Sequence, residues 1–123
     1  MSASPPAFNP AILGALMDPD EPEEGRAMVA DLQQIFAENF ALRLTELPDL
    51  LSGGQTEALR SLFHQLKGGS ASLGYDALSA YCAEEEKKAR ENIPNDPGAP
   101  ARLTALHEEA RSAVEATLGP ASS

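Results

Sequence analysis

All ten prolines of this 123-residue chain lie at or before Pro48 or at or after Pro94, so the stretch from Asp49 to Ile93 contains none. Proline lacks the backbone N–H and clashes with the preceding turn, which costs a helix interior about 3 kcal/mol. The middle of the chain is therefore free to be helical. No segment shows the apolar alternation of a half-buried strand or the Val, Ile and Thr enrichment that supports one. The pattern predicts an all-α protein.

Helix signals divide the chain into one short and four longer elements. Asn9 can cap a first helix with Pro10 at its first position, Ile12, Leu13 and Leu16 as its apolar edge, and Asp18-Pro19 as its stop. After an acidic loop from Asp18 to Glu24, a second helix runs from about Glu24 to Leu47 on Met28, Leu32, Ile35, Phe36, Phe40, Leu44 and Leu47. Pro48 ends or kinks it, and Ser52-Gly53-Gly54 makes the turn. A third spans about Gln55 to Leu73, with Gly74 as a left-handed stop and Asp76 as the next N-cap. A fourth runs from about Ala77 to Asn92. After a Pro- and Gly-rich loop, a fifth covers about Ala101 to Leu118 on Leu103, Leu106, Ala110, Val114 and Leu118. The expected architecture is an antiparallel up-and-down four-helix bundle with a short additional N-terminal helix. One domain over residues 8–118 is expected, with flexible ends at 1–7 and 119–123.

Acidic residues outnumber basic ones by 19 to 9, a net charge of −10, which disfavours nucleic acid and anionic lipid as partners. One cysteine and two histidines exclude a disulfide framework and are too few for a self-sufficient zinc site. Neither a secretion signal nor a membrane span is indicated, so a cytoplasmic setting is expected. Cys82 reads as a small buried hydrophobe, and His107, beside Leu103 and Leu106, as a half-buried packing residue.

On the third helix, with His64 at zero, Leu59, Leu62, Leu66 and Leu73 fall within about 160–220°, so His64 points away from the core. Glu57, Arg60, Lys67, Gly68 and Ala71 share its face, with Lys67 and Gly68 one turn onward. Each glycine of Gly68-Gly69 costs a helix about 1 kcal/mol relative to alanine, and their positions give different reasons for them. Gly69 borders the core, where a missing side chain admits a neighbouring helix; Gly68 leaves space beside the imidazole. Residues 60–90 carry five basic against four acidic groups, a net of +1, leaving −11 elsewhere. Such a face suits an acidic or phosphorylated partner. A neutral imidazole has a nucleophilic nitrogen that can take a phosphoryl group, with Lys67 as a point charge on its oxygens. Phe63, at about 260°, reaches the edge of this face.

The run His64-Gln65-Leu66-Lys67-Gly68-Gly69-Ser70-Ala71-Ser72-Leu73-Gly74 closely resembles the His-x-x-Lys-Gly-x-Ser-x-x-Leu-Gly motif of histidine-containing phosphotransfer (HPt) domains, with every fixed position matched. Leu78, Cys82 and Glu86, and the earlier Leu32-Gln33-Gln34-Ile35-Phe36, extend the resemblance over residues 8–118. It implies a phosphocarrier of two-component phosphorelays without ATP-dependent kinase activity of its own. His64 would take a phosphoryl group from a receiver aspartate or a hybrid sensor histidine kinase and pass it to another receiver. The resemblance implies no metal site or bound cofactor on this chain, because Mg²⁺ resides on the receiver. Carried over by position, Lys67 stabilises the phosphoryl group and Gly68 permits approach. Gly69, Ser70, Leu73 and Gly74 are structural, Ser70 through a hydrogen bond to backbone. Arg60, Phe63, Gly68, Ala71 and Tyr75 form the expected docking surface of a monomer. Glu86 can orient His64 through Nδ1, leaving Nε2 to attack; it equally fits a solvated charge in the run Glu84 to Lys88. Glu85 departs from the family's usual aliphatic residue, which leaves the register of its helix open. The alternative reading is a helical interaction module that docks a receiver or kinase without relaying phosphate.

Overall fold

The computed structural model describes residues 5–14 and 20–118. Its elements are α1 (Pro10–Gly14), α2 (Pro22–Gly53), α3 (Thr56–Ser72), α4 (Asp76–Arg90) and α5 (Ala99–Leu118), with no strand among the described residues. The Leu13 side chain, Leu16, the Asp18-Pro19 stop and the tails 1–4 and 119–123 lie outside these residues. Among α2 to α5, helices adjacent in sequence pack together, α3 most extensively on α4, and α5 returns to α2, closing an all-α four-helix bundle. Among the described residues no helix is long and apolar enough to cross a membrane.

The three turns that reverse the chain use one device. Gly54, Gly74 and Asn92 each adopt positive φ just after a helix. The following amide then donates back five residues: Gln55 to Leu50, Tyr75 to Ser70 and Ile93 to Lys88. Gly74 has a second constraint, because a Cβ there would meet the Asn9 carbonyl oxygen at 2.5 Å. That close approach seats the N-terminal segment. Asn9 donates to the Gly74 carbonyl at 2.7 Å, the Pro6 carbonyl accepts from Ala77 at 2.9 Å, and Phe8 is buried. Pro6, expected in a flexible tail, is thus anchored to α4 through its carbonyl. Asn9 does cap α1, its Oδ1 accepting from the Ala11 amide at 3.1 Å.

Three expectations need correction. Of the two readings of Pro48, an end or a kink, the end is excluded, because α2 continues to Gly53 with Pro48 inside it. The missing bond to the Leu44 carbonyl is offset because Leu47 is fully buried and Leu50 and Leu51 pack on the core only if the helix continues. Asp76 is the first residue of α4 rather than its cap, a place taken by Tyr75 with no side-chain cap bond. Met28 and Ile35, read as apolar core positions, are 39% and 58% exposed, because α2 turns only Val29, Phe36, Phe40 and Leu47 fully inward.

At the centre, Phe36, Phe40 and Tyr75 surround His107, with ring centroids 5.4, 4.4 and 6.1 Å from its imidazole. His107 is buried more deeply than expected and its Nε2 has no partner. Burial pushes its pKa below the usual 6.5, Arg111 adds to this, and Glu108 opposes it. The unfolded chain therefore binds the proton more readily than the folded one. Stability contributed by neutral His107 is complete above the unfolded value of 6.5 and is lost as pH falls toward the depressed folded value. Thermal melts should show lower stability at about pH 5.5 than at about pH 7.5, with a smaller difference in His107→Leu. An unchanged difference in the variant would show that His107 does not carry the effect.

Candidate functional site

His64 stands two turns into α3, its side chain 62% exposed, opposite the leucines that fix the helix to the core. Across the α3–α4 contact its Nδ1 lies 3.0 Å from Glu86 Oε2. An ionised carboxylate only accepts, so the proton of this bond sits on Nδ1 and the Nε2 lone pair is left free. Glu86 is 3% exposed and holds two further groups: Lys67 Nζ at 2.7 Å on Oε1 and Arg90 Nη2 at 3.1 Å on Oε2. The hydrogen bond from Lys67 holds its carboxyl below the usual carboxylate range; burial opposes this, and His64 adds to the lowering. The site is a buried anion under an exposed imidazole, with two cations on its flanks.

The backbone beneath it is braced where side chains are missing. Ser70, fully buried, donates from Oγ to the Leu66 carbonyl at 2.6 Å and the Lys67 carbonyl at 3.1 Å. Ser79 of α4 reaches the same Lys67 carbonyl at 3.3 Å. The Ser79 bond ties α4 to α3 at the turn that carries Lys67, while the Ser70 bonds stay within α3, the backbone role expected for Ser70.

The glycine pair divides as the helical spacing predicts. A Cβ on Gly69 would meet the Phe36 ring at 3.0 Å, so its absence lets α2 approach; a Cβ on Gly68 would meet nothing within 4 Å. Gly68→Ala should therefore stabilise the fold by about 1 kcal/mol, the helix-propensity gain, while slowing phosphoryl transfer from a docked partner. Gly69→Ala should lower stability, because Phe36 is held in the aromatic cluster and has to shift. Urea denaturation of both variants checks the pair, and equal signs would contradict the packing argument.

The expected docking residues separate. Gly68 and Ala71 are exposed, and Arg60 is partly exposed and bound to Glu57 at 3.0 Å. Phe63 and Tyr75 are fully buried and cannot present side chains to a partner. Phe63, at the border of the outward arc, is claimed by the core. Tyr75 follows the left-handed turn at Gly74 and points inward, its hydroxyl accepting from Gln33 Nε2 at 2.9 Å. Leu73 is buried, as a packing residue should be.

Two features escaped the sequence reading. Arg90 binds Glu86 one helical turn away, an i,i+4 pair that spacing alone could have flagged. Ile35 borders a groove of about 360 Å³ between α2 and α3, floored by Leu66 and Gly69 and edged by Gln65, the residue after His64. Cys82 is fully buried, and burial, with Glu85 nearby, pushes its thiol up to about 12, which suits a packing residue and not a nucleophile. Among the described residues no group of three or more His, Cys, Asp or Glu could hold a metal ion.

The Hpt domain family model matches residues 31–113, which span most of the bundle's first long helix through most of its last. No curated protein and no solved structure matches the chain.

Proposed function

Because the chain belongs to the Hpt domain family, we propose that it carries a phosphoryl group on Nε2 of His64 between aspartates of receiver domains, or from a hybrid sensor histidine kinase to a receiver. The observation that carries this reading is the His64 Nδ1–Glu86 contact at 3.0 Å on a buried carboxylate. It fixes the tautomer and turns the reactive nitrogen toward solvent.

In the forward step the Nε2 lone pair forms a bond to phosphorus as the phosphorus–oxygen bond of the aspartyl phosphate breaks, and the aspartate leaves as its carboxylate. The Nδ1 proton stays where it is. The ring becomes cationic in the phosphorylated state, and the Glu86 carboxylate beneath it stabilises that charge. In the onward step the ring departs from phosphorus as neutral imidazole, a good leaving group. Lys67, one turn from His64, is within reach of the phosphoryl oxygens as a point charge. The receiver would bring the Mg²⁺, which supplies charge neutralisation on its own side of the transfer. Gly68 and Ala71, with Ile35 across the groove, offer the partner a low, uncharged surface around the imidazole.

The test is incubation with an isotopically phosphorylated receiver. His64 should acquire a phosphoryl group that is labile to acid and stable to base. Docking without transfer would overturn the reading in favour of an interaction module that relays no phosphate.

A further inference from the structure

Glu86 has more cations than its charge requires. Its single negative charge meets Lys67 on one oxygen and Arg90 on the other, while neutral His64 shares the second oxygen. Lys67, the group placed to neutralise an incoming phosphoryl dianion, is engaged at 2.7 Å in the unphosphorylated state. Using it on the phosphoryl group means taking it from a carboxylate that is 4% exposed in its side chain. A buried carboxylate left without a counter-charge is strongly unfavourable.

We infer that Arg90 is a positioning residue that holds the Glu86 charge in place when Lys67 moves from Glu86 to the phosphoryl group on His64. This rests on the phosphocarrier reading and adds to it a division of labour between the two cations. After transfer Lys67 serves the phosphoryl dianion, and Glu86 keeps Arg90 together with the Nδ1–H of the cationic ring that lies between the two anions. Geometry favours this assignment of roles. Lys67 is on the histidine helix, one turn from His64, whereas Arg90 lies on α4, one turn beyond Glu86 and on the same oxygen that His64 Nδ1 contacts. Arg60 also feels the Glu86 charge but makes no hydrogen bond to it, its Nε and Nη2 being engaged by Glu57. The Arg90 side chain is 59% exposed, so replacing it leaves the core intact.

A double-mutant cycle with a partner-free donor separates this role from a direct one. Phosphoramidate transfers its phosphoryl group to His64 Nε2 as its phosphorus–nitrogen bond breaks and ammonia leaves, and intact mass follows the product. Arg90→Met should slow labelling by about fivefold, the scale of one charge-assisted hydrogen bond partly open to solvent, and Arg90→Lys should restore most of the rate. In a Glu86→Gln background, where no charge needs holding, Arg90→Met should change the rate by less than about twofold. The Lys67 side-chain resonances should shift on phosphorylation of the unmodified protein and shift less in Arg90→Met. Equal slowing in both backgrounds would overturn the inference and place Arg90 on the phosphoryl group or the donor. No slowing in Arg90→Met would overturn it as well. If the unmodified protein is not labelled at His64, the phosphocarrier reading itself falls, a result distinct from either.

Discussion

His64→Gln should abolish phosphoryl acceptance while leaving the fold and partner docking unchanged. The glutamine amide has no nucleophilic nitrogen, so labelling by a phosphorylated receiver should fall to background rather than to a reduced rate. The fold should tolerate the change because His64 is the most exposed of the three groups on Glu86. Lys67 and Arg90 remain to hold the buried carboxylate, and the new amide N–H can replace the Nδ1 donor. A stability change within about 0.5 kcal/mol is expected, as for a surface position away from the core. Receiver binding, followed by titration calorimetry, should retain its affinity because Gly68, Ala71 and Ile35 are untouched. A variant that is still labelled would move the phosphoacceptor away from His64, leaving His107 as the only other histidine. The burial of His107 between Phe36, Phe40 and Tyr75 argues against that outcome.

The outward placement of His64, Lys67 and Gly68 was legible because a single helix fixes which residues share a face, and periodicity alone measures that. The glycine pair was legible for the same reason. What periodicity cannot measure is which side chain on a neighbouring helix arrives opposite. Glu86 stays open between an oriented partner and a solvated charge until the α3–α4 packing places it beneath the imidazole, and although its i,i+4 spacing to Arg90 is in the sequence, the burial that gives the pair weight is not. Phe63 and Tyr75 failed as docking residues through the same blindness. One sits at the edge of the outward arc and the other just after a turn, and in both places tertiary packing decides the direction. Pro48 shows local propensity yielding to the burial of Leu47.

Glu85 is where the chain departs most from the pattern it resembles, and its removal should give the largest loss of stability among the charged residues. The carboxylate is 1% exposed, yet it does not face the histidine. Its Oε1 accepts from the Asp96 amide at 2.8 Å and from Asn95 Nδ2 at 3.0 Å, and its Oε2 from Lys88 Nζ at 2.8 Å. Asn95 also donates to the Glu85 carbonyl, and Tyr81 donates to Asp96 Oδ2 at 2.7 Å. An aliphatic residue here would fill the space and leave these donors unanswered. The acid instead clasps the α4–α5 loop to α4, and the register left open by the sequence is settled with Glu85 toward the loop and Glu86 toward His64. Glu85→Ala should cost about 3 kcal/mol, combining a vacated buried volume with unpaired loop donors, and lower the melting temperature by about 10 °C. Glu85→Gln keeps an oxygen for Asp96 and Asn95 and forfeits only the pair with Lys88, whose side chain is 38% exposed and can return to water. It should cost about 1 kcal/mol. Both variants should still accept phosphate at His64, since the neighbouring carboxylate keeps its partners. Melts that place Gln as low as Ala would show that the ion pair, and not the clasp on the loop amide, holds this end of the bundle.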